Sequence, residues 1–274
     1  MPDPSSPEFD LVLSYPQWQG SGRSEHLRRG ALAAAAVCGK YGPLVRVPDA
    51  GEGERDEGVN RWTAILAQFL SARELLQRHR PRTVLTAGGD CACDIAVIDY
   101  LHRRHPALTV VWVDAHLDAN TPATTPSGNF HGMPVAALLG SPPEGLKAHL
   151  LSPGLDPARF KYVSAHLGDP GDWEFQRTRG LSWLDEAASV TGPVHVHFDL
   201  DVLDPAEFPH VAYPDGRLPA ASGLALLRSV AATAQLVGLT ITEFAPRDPA
   251  AATAGSRYLQ SLCDASLGLR PPRE

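Results

Sequence analysis

Long apolar runs are missing from this chain of 274 residues. A helix that spans a membrane needs about 18 or more consecutive apolar residues, and no run in the sequence reaches that length. The first residues, MPDPSSPEFD, contain neither a basic segment nor an apolar one, so we expect no secretory signal peptide there. These absences argue against a membrane protein.

An excess of positive charge is missing as well. The chain has 24 Lys and Arg residues against 31 Asp and Glu residues, which gives a formal net charge of −7. Proteins that bind nucleic acids or anionic membranes use Lys and Arg to neutralise phosphate groups. The charge balance therefore predicts that neither a nucleic acid nor a membrane is the main partner.

Cysteine is scarce, with residues only at positions 38, 91, 93 and 263. Their spacing matches neither a zinc ribbon nor the disulfide framework of a small secreted domain. Because free cysteines are typical of reducing compartments, the sequence predicts a cytoplasmic protein. We interpret Cys38, Cys93 and Cys263 as core residues.

Short apolar runs alternate with segments of helical periodicity along the chain. The predicted strands cover residues 9–15, 44–47, 83–90, 109–116, 160–165, 181–184, 194–201 and 236–244. The predicted helices cover residues 24–38, with Ser24 as N-cap, and residues 60–79, 91–104, 131–139, 221–234 and 248–268. This alternation predicts an α/β fold whose parallel sheet is covered by helices on both faces. We expect one domain over residues 1–274, with ligands at the carboxyl ends of the strands.

Two carboxylates and one imidazole follow the apolar segment Thr109–Val113. They are Asp114, His116 and Asp118, and alternate side chains share one face of an extended backbone. Unpaired buried carboxylates are costly, so this cluster predicts a divalent metal ion.

A second acidic pair, Asp199 and Asp201, follows another apolar strand. A single pair of this kind is a weak signal, but two clusters at strand ends are much stronger. Together they offer five ligands, enough for two metals if Asp114 and Asp199 bridge them. Carboxylate and imidazole ligands suit manganese, and a metal pair activates water as a nucleophile.

Four motifs together resemble the ureohydrolase family, which includes arginase, agmatinase and formimidoylglutamase. They are Gly-Gly-Asp at 88–90, Asp-Ala-His-Leu-Asp at 114–118, Ser-Gly-Asn-Phe-His-Gly-Met-Pro at 127–134 and Asp-Leu-Asp-Val-Leu-Asp-Pro at 199–205. Their order matches the family from about residue 83 to residue 246, and the loop 120–131 is most similar to that of arginases.

The resemblance implies a three-layer α/β/α fold with a mostly parallel eight-stranded sheet. It also implies two Mn²⁺ ions per chain, assembly as a homo-oligomer and hydrolysis of a guanidino C–N bond to urea and an amine. Arginine, which would give ornithine, or a related guanidino acid is the expected substrate.

The resemblance also assigns roles by position. The implied metal ligands are Asp114, His116, Asp118, Asp199 and Asp201, with Cys91 at a sixth ligand position. The implied catalytic residues are Asp118, His131 as a proton shuttle, and Glu243, which orients the guanidinium group. The implied substrate-binding residues are Asn120, Ser127 and Asn129 for the α-carboxylate, Asp169 for the α-amino group, and Glu243.

Three positions depart from the family pattern. Cys91 stands where the family has a histidine ligand, so it is either a metal ligand or a buried packing residue, and its site is expected to bind manganese weakly or to prefer another metal. Leu167 stands where the family has a second acid near the amino group. The loop 206–214 differs from that of the family and is expected to alter one wall of the pocket.

Two other functional interpretations stay open at this point. The first is an amidine hydrolase of the formimidoylglutamase or agmatinase type. The second is an arginase-fold protein that has an impaired metal site and a binding role. In each case the expected partner is a small guanidino or amidino molecule. His195 and His197 are interpreted as packed or supporting groups rather than ligands.

Overall fold

The computed structural model describes residues 9–22 and 25–269, and the predicted N-cap Ser24 lies outside them. Its strands form one parallel sheet in the order β2-β1-β3-β8-β7-β4-β5-β6. The strands are β1 (Leu11–Tyr15), β2 (Leu44–Arg46), β3 (Val84–Gly88), β4 (Thr109–Val113), β5 (Phe160–Val163), β6 (Ser182–Trp183), β7 (Pro193–Asp199) and β8 (Gln235–Thr242). The predicted eight-stranded α/β fold is confirmed.

Helices cover both faces of this sheet. They are α1 (Glu25–Cys38), α2 (Trp62–His79), α3 (Asp94–Arg104), α4 (Pro134–Leu138), α5 (Glu144–Lys147), α6 (Pro170–Arg179), α7 (Ala220–Thr233) and α8 (Pro249–Ser266). Within the described residues, no helix is both long enough and apolar enough to span a membrane.

The core is divided between the two faces because side chains alternate along each strand. In β4, Val110 and Trp112 pack in the cluster that includes α2, α3 and α4. Val111 and Val113 pack in the cluster that includes α1, α7 and α8. Burial on both faces explains why this strand reads as a continuous apolar run.

All eight predicted strands are longer than the strands in the structure, and two of them include the acidic clusters. The predicted 109–116 and 194–201 end at Val113 and Asp199. The reason is a turn in which the first carboxylate after each apolar run accepts a hydrogen bond from the N–H two residues later. Turns, rather than a continued extended backbone, therefore arrange the acidic groups.

Two helices between β4 and β7, α5 and α6, were not predicted from the sequence. The four-residue helix α5 lacks a strong signal, but α6 begins with a capping box in which Asp169 and Asp172 each accept an N–H bond from the other's backbone. The pattern Asp-Pro-Gly-Asp is a recognisable helix start. The predicted helix 131–139 is shorter in the structure, with a 3₁₀ turn at Phe130–Gly132 followed by α4.

Candidate metal centre and active site

The predicted site residues come together because four central strands end at one edge of the sheet. Strands β3, β8, β7 and β4 are consecutive neighbours, and all run parallel. Asp90, Glu243, Asp199 and Asp114 follow or end these strands within two residues. The edge therefore gathers four acids from distant parts of the sequence.

Three of these acids make the same local turn. Asp114 Oδ1 accepts a hydrogen bond from the His116 N–H at 2.7 Å, and Asp199 Oδ1 accepts one from the Asp201 N–H at 2.7 Å. Asp90 Oδ1 likewise accepts the N–H of Ala92 at 3.1 Å. Each bond closes a turn just after its strand.

A first group of potential ligands, here called the inner site, consists of Cys91, Asp114, His197 and Asp199. One donor atom from each residue lies within 4.8 Å of the others, and all four residues are buried. The Cys91 thiol donates a hydrogen bond to Asp199 Oδ2 at 2.8 Å. Cys91 thus lies among the predicted ligands, while His197 is an addition that the sequence analysis had interpreted as a supporting group.

A second group, here called the outer site, consists of Asp114, His116 and Asp201. His116 Nδ1 lies 3.4 Å from Asp114 Oδ1 and 3.2 Å from Asp201 Oδ2. Because Asp114 belongs to both groups, it would be a ligand at each site if both held a metal ion. Asp199, the other predicted bridge, belongs to the inner site alone.

Asp118 belongs to neither group of potential ligands. Its backbone has a positive φ of 49°, so the chain is no longer extended there and the alternation argument does not apply. The residue lines a cavity above the two sites. Asp118 still lies close enough to Asp114 and Asp199 for their charges, after burial, to raise its pKa well above the usual range, so its role as a ligand stays a prediction.

The crowding of acids shifts their pKa values. Burial, followed by the Asp201 charge, raises the pKa of Asp199 well above its usual range. Burial and then the Asp199 charge do the same to the pKa of Glu243. Burial alone would lower the pKa of His116, but Asp201 and Asp114 outweigh it and raise that pKa well above its usual value. Bound cations would stabilise the ionised acids.

Several buried oxygens at this edge have no hydrogen-bond partner within the described residues. They are Asp118 Oδ2, Asp201 Oδ1 and Glu243 Oε2. Buried polar atoms without partners are costly, and carboxylate oxygens are metal ligands. The donor set and these oxygens therefore fit a binuclear metal centre.

His131 and Glu243 lie beside each other at the mouth of this centre. His131 Nδ1 is 3.9 Å from Glu243 Oε1, and the side chain of His131 is 21% exposed while that of Glu243 is 1% exposed. The Glu243 N–H donates to Gly89 O at 2.8 Å, which ties the end of β8 to the turn after β3. The histidine thus connects a buried acid with the cavity.

The cavity has a volume of about 330 Å³. Its lining includes the predicted residues His116, Asp118, Asn120, Ser127, His131 and Asp169, together with Leu167. Asn129 is not in this lining, because its amide accepts from Asn60 Nδ2 at 2.9 Å and donates to Ser21 O at 3.3 Å.

Two further residues of the lining, Asp172 and Tyr213, were not predicted. Asp172 accepts from Ala119 N–H and Asn120 Nδ2, both at 2.7 Å, and burial raises its pKa to about 6. The capping pattern at the start of α6 is the sequence signal from which the position of Asp172 could have been predicted. Tyr213 lies in the divergent loop 206–214, with its ring centroid 5.3 Å from that of His131; its position carried no sequence signal.

Comparison with known proteins identifies the family. The model of the arginase family matches residues 47–263, which is more than half of the chain. The chain belongs to the arginase family. This membership confirms the ureohydrolase resemblance.

Curated relatives in the arginase family include human arginase-1, which is 34% identical over 189 residues. That match covers 60% of this chain and 59% of the human protein. The arginase of Eremothecium gossypii is 34% identical over 190 residues, which cover 61% of this chain and 48% of the relative. The matches thus span about half to three fifths of these relatives.

Solved arginase structures share the fold over nearly the whole chain. The arginase of Bacillus caldovelox superposes with a TM-score of 0.81 at 24% identity, covering 96% of this chain and 99% of that one. The Entamoeba histolytica arginase in complex with L-ornithine gives a TM-score of 0.80 at 18% identity, covering 94% and 97%. At these identities the likeness establishes the three-layer fold.

Proposed function

We propose that this arginase-family chain is a metal-dependent ureohydrolase that cleaves the guanidino C–N bond of arginine or a related guanidino acid. The observation that carries the proposal is the pair of adjoining ligand groups that share Asp114, next to a cavity lined by the predicted substrate residues Asn120, Ser127 and Asp169. When two divalent cations are bound, they supply a water activated for attack near neutral pH.

Three residues of the chain are proposed to perform the remaining chemistry. Glu243 pairs with the guanidinium group, since a carboxylate binds that planar cation through two hydrogen bonds. Asp118, whose Oδ2 has no partner in the part of the chain that the structure describes, accepts a hydrogen bond from the attacking water. His131 relays protons between the cavity and solvent, which its partial exposure supports.

Substrate recognition is proposed for the outer end of the cavity. Asn120 and Ser127, which line the cavity, are proposed to hold the substrate carboxylate, and Asp169 to hold an amino group. Asn129 lies outside the lining, so its role stays a prediction of the family resemblance. Leu167 is apolar where a second acid would strengthen binding of an amino group, and it lines the cavity. A guanidino acid without an α-amino group is therefore included among the proposed substrates.

The metal content follows from the two donor sets. We propose manganese for the outer site, because two carboxylates and an imidazole suit this ion. The four free, buried cysteines support a cytoplasmic location, and assembly as a homo-oligomer stays a prediction of the family resemblance.

The test is urea release from a panel of substrates after the protein is freed of metal and reloaded. The panel contains arginine, agmatine, guanidino acids without an α-amino group, and formiminoglutamate, which separates amidine hydrolysis from urea formation. We expect urea only after metal is restored. Full activity in metal-free protein, or no detectable metal binding at millimolar manganese, would contradict the proposal.

A further inference from the structure

His197 belongs to the inner site, and one of its ring nitrogens contacts the carboxylate of Asp94. It is completely buried on β7, and its ring stacks on Trp112 with centroids 3.5 Å apart. Nδ1 lies 2.9 Å from Asp94 Oδ2. Nε2 lies 3.3 Å from the hydroxyl of Thr242, which is itself 3.4 Å from Asp199 Oδ2. The Nε2 atom therefore faces the ligands of the inner site.

The surroundings of Asp94 determine which nitrogen of His197 carries the proton. The Asp94 carboxylate also accepts from Thr240 Oγ1 at 2.6 Å, and His195 Nε2 lies 2.8 Å from it. A carboxylate surrounded by three donors acts only as an acceptor, so His197 donates through Nδ1. Its Nε2 therefore keeps a lone pair, on the side of the ring where the Thr242 hydroxyl lies between it and the inner-site residue Asp199. A histidine that ligates a metal is commonly oriented in this way by a carboxylate.

Cys91 and Asp94 approach His197 from the same short segment. Cys91 opens the 3₁₀ turn Cys91–Cys93, and Asp94 begins α3 directly after it. Asp94 thus contacts the imidazole at Nδ1, and Cys91 belongs to the same ligand group as His197. This one segment defines the position of two donors.

The inner and outer sites differ in the chemistry of their donors. The inner site combines one thiol, one imidazole and two carboxylates, all buried. A closed set of four sulfur, nitrogen and oxygen ligands is typical of zinc, whereas manganese favours carboxylate oxygens. The outer site has no sulfur, and the side chain of His116 is 30% exposed.

We propose that His197 is a ligand of the inner site, that Asp94 positions it, and that the inner site selects zinc over manganese. The inference rests on the metal centre proposed above and adds a ligand and a metal preference to it. The centre is therefore expected to hold two different metals, zinc at the inner site and manganese at the outer site.

Two matched variants test the ligand. In His197→Asn the amide nitrogen replaces Nδ1, which keeps the bond to Asp94 but removes Nε2. In His195→Gln the amide nitrogen replaces Nε2, which also keeps the bond to Asp94, and His195 is not in either ligand group. We expect zinc affinity to fall at least about tenfold in His197→Asn, a loss of the size seen even for residues that only support a ligand, and to stay unchanged in His195→Gln.

Cobalt provides a readout that does not depend on activity. Wild-type protein loaded with one equivalent of Co²⁺ should show thiolate-to-cobalt charge-transfer absorption, which Cys91→Ser should abolish. The ligand-field bands should change in His197→Asn and not in His195→Gln. Identical zinc affinities and cobalt spectra for wild type and both histidine variants would show that His197 only packs. Higher affinity for manganese than for zinc would overturn the metal preference.

X-ray absorption of the wild-type protein covers the case in which His197→Asn does not fold. With one equivalent of zinc we expect one sulfur at about 2.3 Å and one imidazole nitrogen at about 2.0 Å, and His116→Ala should leave that nitrogen in place. A shell without imidazole would overturn the inference. Because these measurements follow metal ligation, a protein that ligates zinc through His197 but releases no urea would contradict only the proposed function.

Discussion

At the scale of single residues, Glu243 lies beside His131, which lines the proposed substrate cavity. It is buried to 1% exposure and adopts a positive φ of 60°. Non-glycine residues with this backbone conformation are uncommon and occur often at functional sites. Glu243 Oε2 has no hydrogen-bond partner within the described residues, and together with this conformation it supports the proposed role in binding a cationic group.

Glu243→Gln keeps the size of the side chain but removes its charge. Losing a hydrogen bond to a charged group costs about 1.5–3 kcal/mol, so kcat/KM should fall at least about tenfold while metal content stays unchanged. Steady-state kinetics and metal analysis of the same preparations measure both effects. Glu54→Gln, at an exposed position, serves as the control. Equal kcat/KM in wild type and Glu243→Gln would show that this carboxylate does not contact the substrate.

At the scale of secondary-structure elements, the close approach of α1 to the end of β8 positions Glu243. A Cβ atom on Gly30 would lie 1.5 Å from the carbonyl oxygen of Phe244, the residue after Glu243. The contact is with the backbone, so no side-chain rotation relieves it. Only glycine allows helix and loop to pack at this distance.

Gly30→Ala should therefore destabilise the protein although alanine favours a helix. Overpacking costs about 1–3 kcal/mol or more, whereas the gain in helix propensity is about 1 kcal/mol. Chemical denaturation should show a lower free energy of unfolding. Gly132→Ala is the control, because a Cβ there has no atom within 4 Å. A Gly30→Ala variant as stable as wild type would mean that the helix shifts at no cost.

At the scale of the whole molecule, the acidic edge of the sheet should make stability depend on metal. Cations that bind the folded state but not the unfolded state stabilise it, by about 2.7 kcal/mol at a concentration of 100 times Kd. The sites draw ligands from β4, β7 and the turn after β3, so the stabilisation should extend across the sheet.

Manganese or zinc should accordingly raise the Tm of chelator-treated protein in calorimetry. Asp114→Asn should reduce the shift most, because Asp114 belongs to both ligand groups. Asp185→Asn, at an exposed position, should leave it unchanged. An equal shift in Asp114→Asn would place the stabilising metal elsewhere.

Much of the fold was predictable from the sequence because the relevant signals are local. Apolar runs of strand length and helical periodicity require only neighbouring residues, and all eight predicted strands are present. The clusters after β4 and β7 were also predictable, since parallel strands present their carboxyl ends at one edge. The helix α6 was missed although its capping pattern is local.

The tertiary structure decided how these clusters meet. Strand β8 lies between β3 and β7, which places Glu243 next to Asp199 across the sheet, and no local pattern encodes that order. Side-chain parity placed His197 on the same face as Asp199, but its role depends on Asp94, which is 103 positions away in the sequence. Asp118, which stays a predicted ligand, has a left-handed backbone conformation that the alternation of side chains along a strand did not anticipate. Local sequence thus determined the elements and the acids at their ends, whereas the donors that face one another depend on contacts between distant segments.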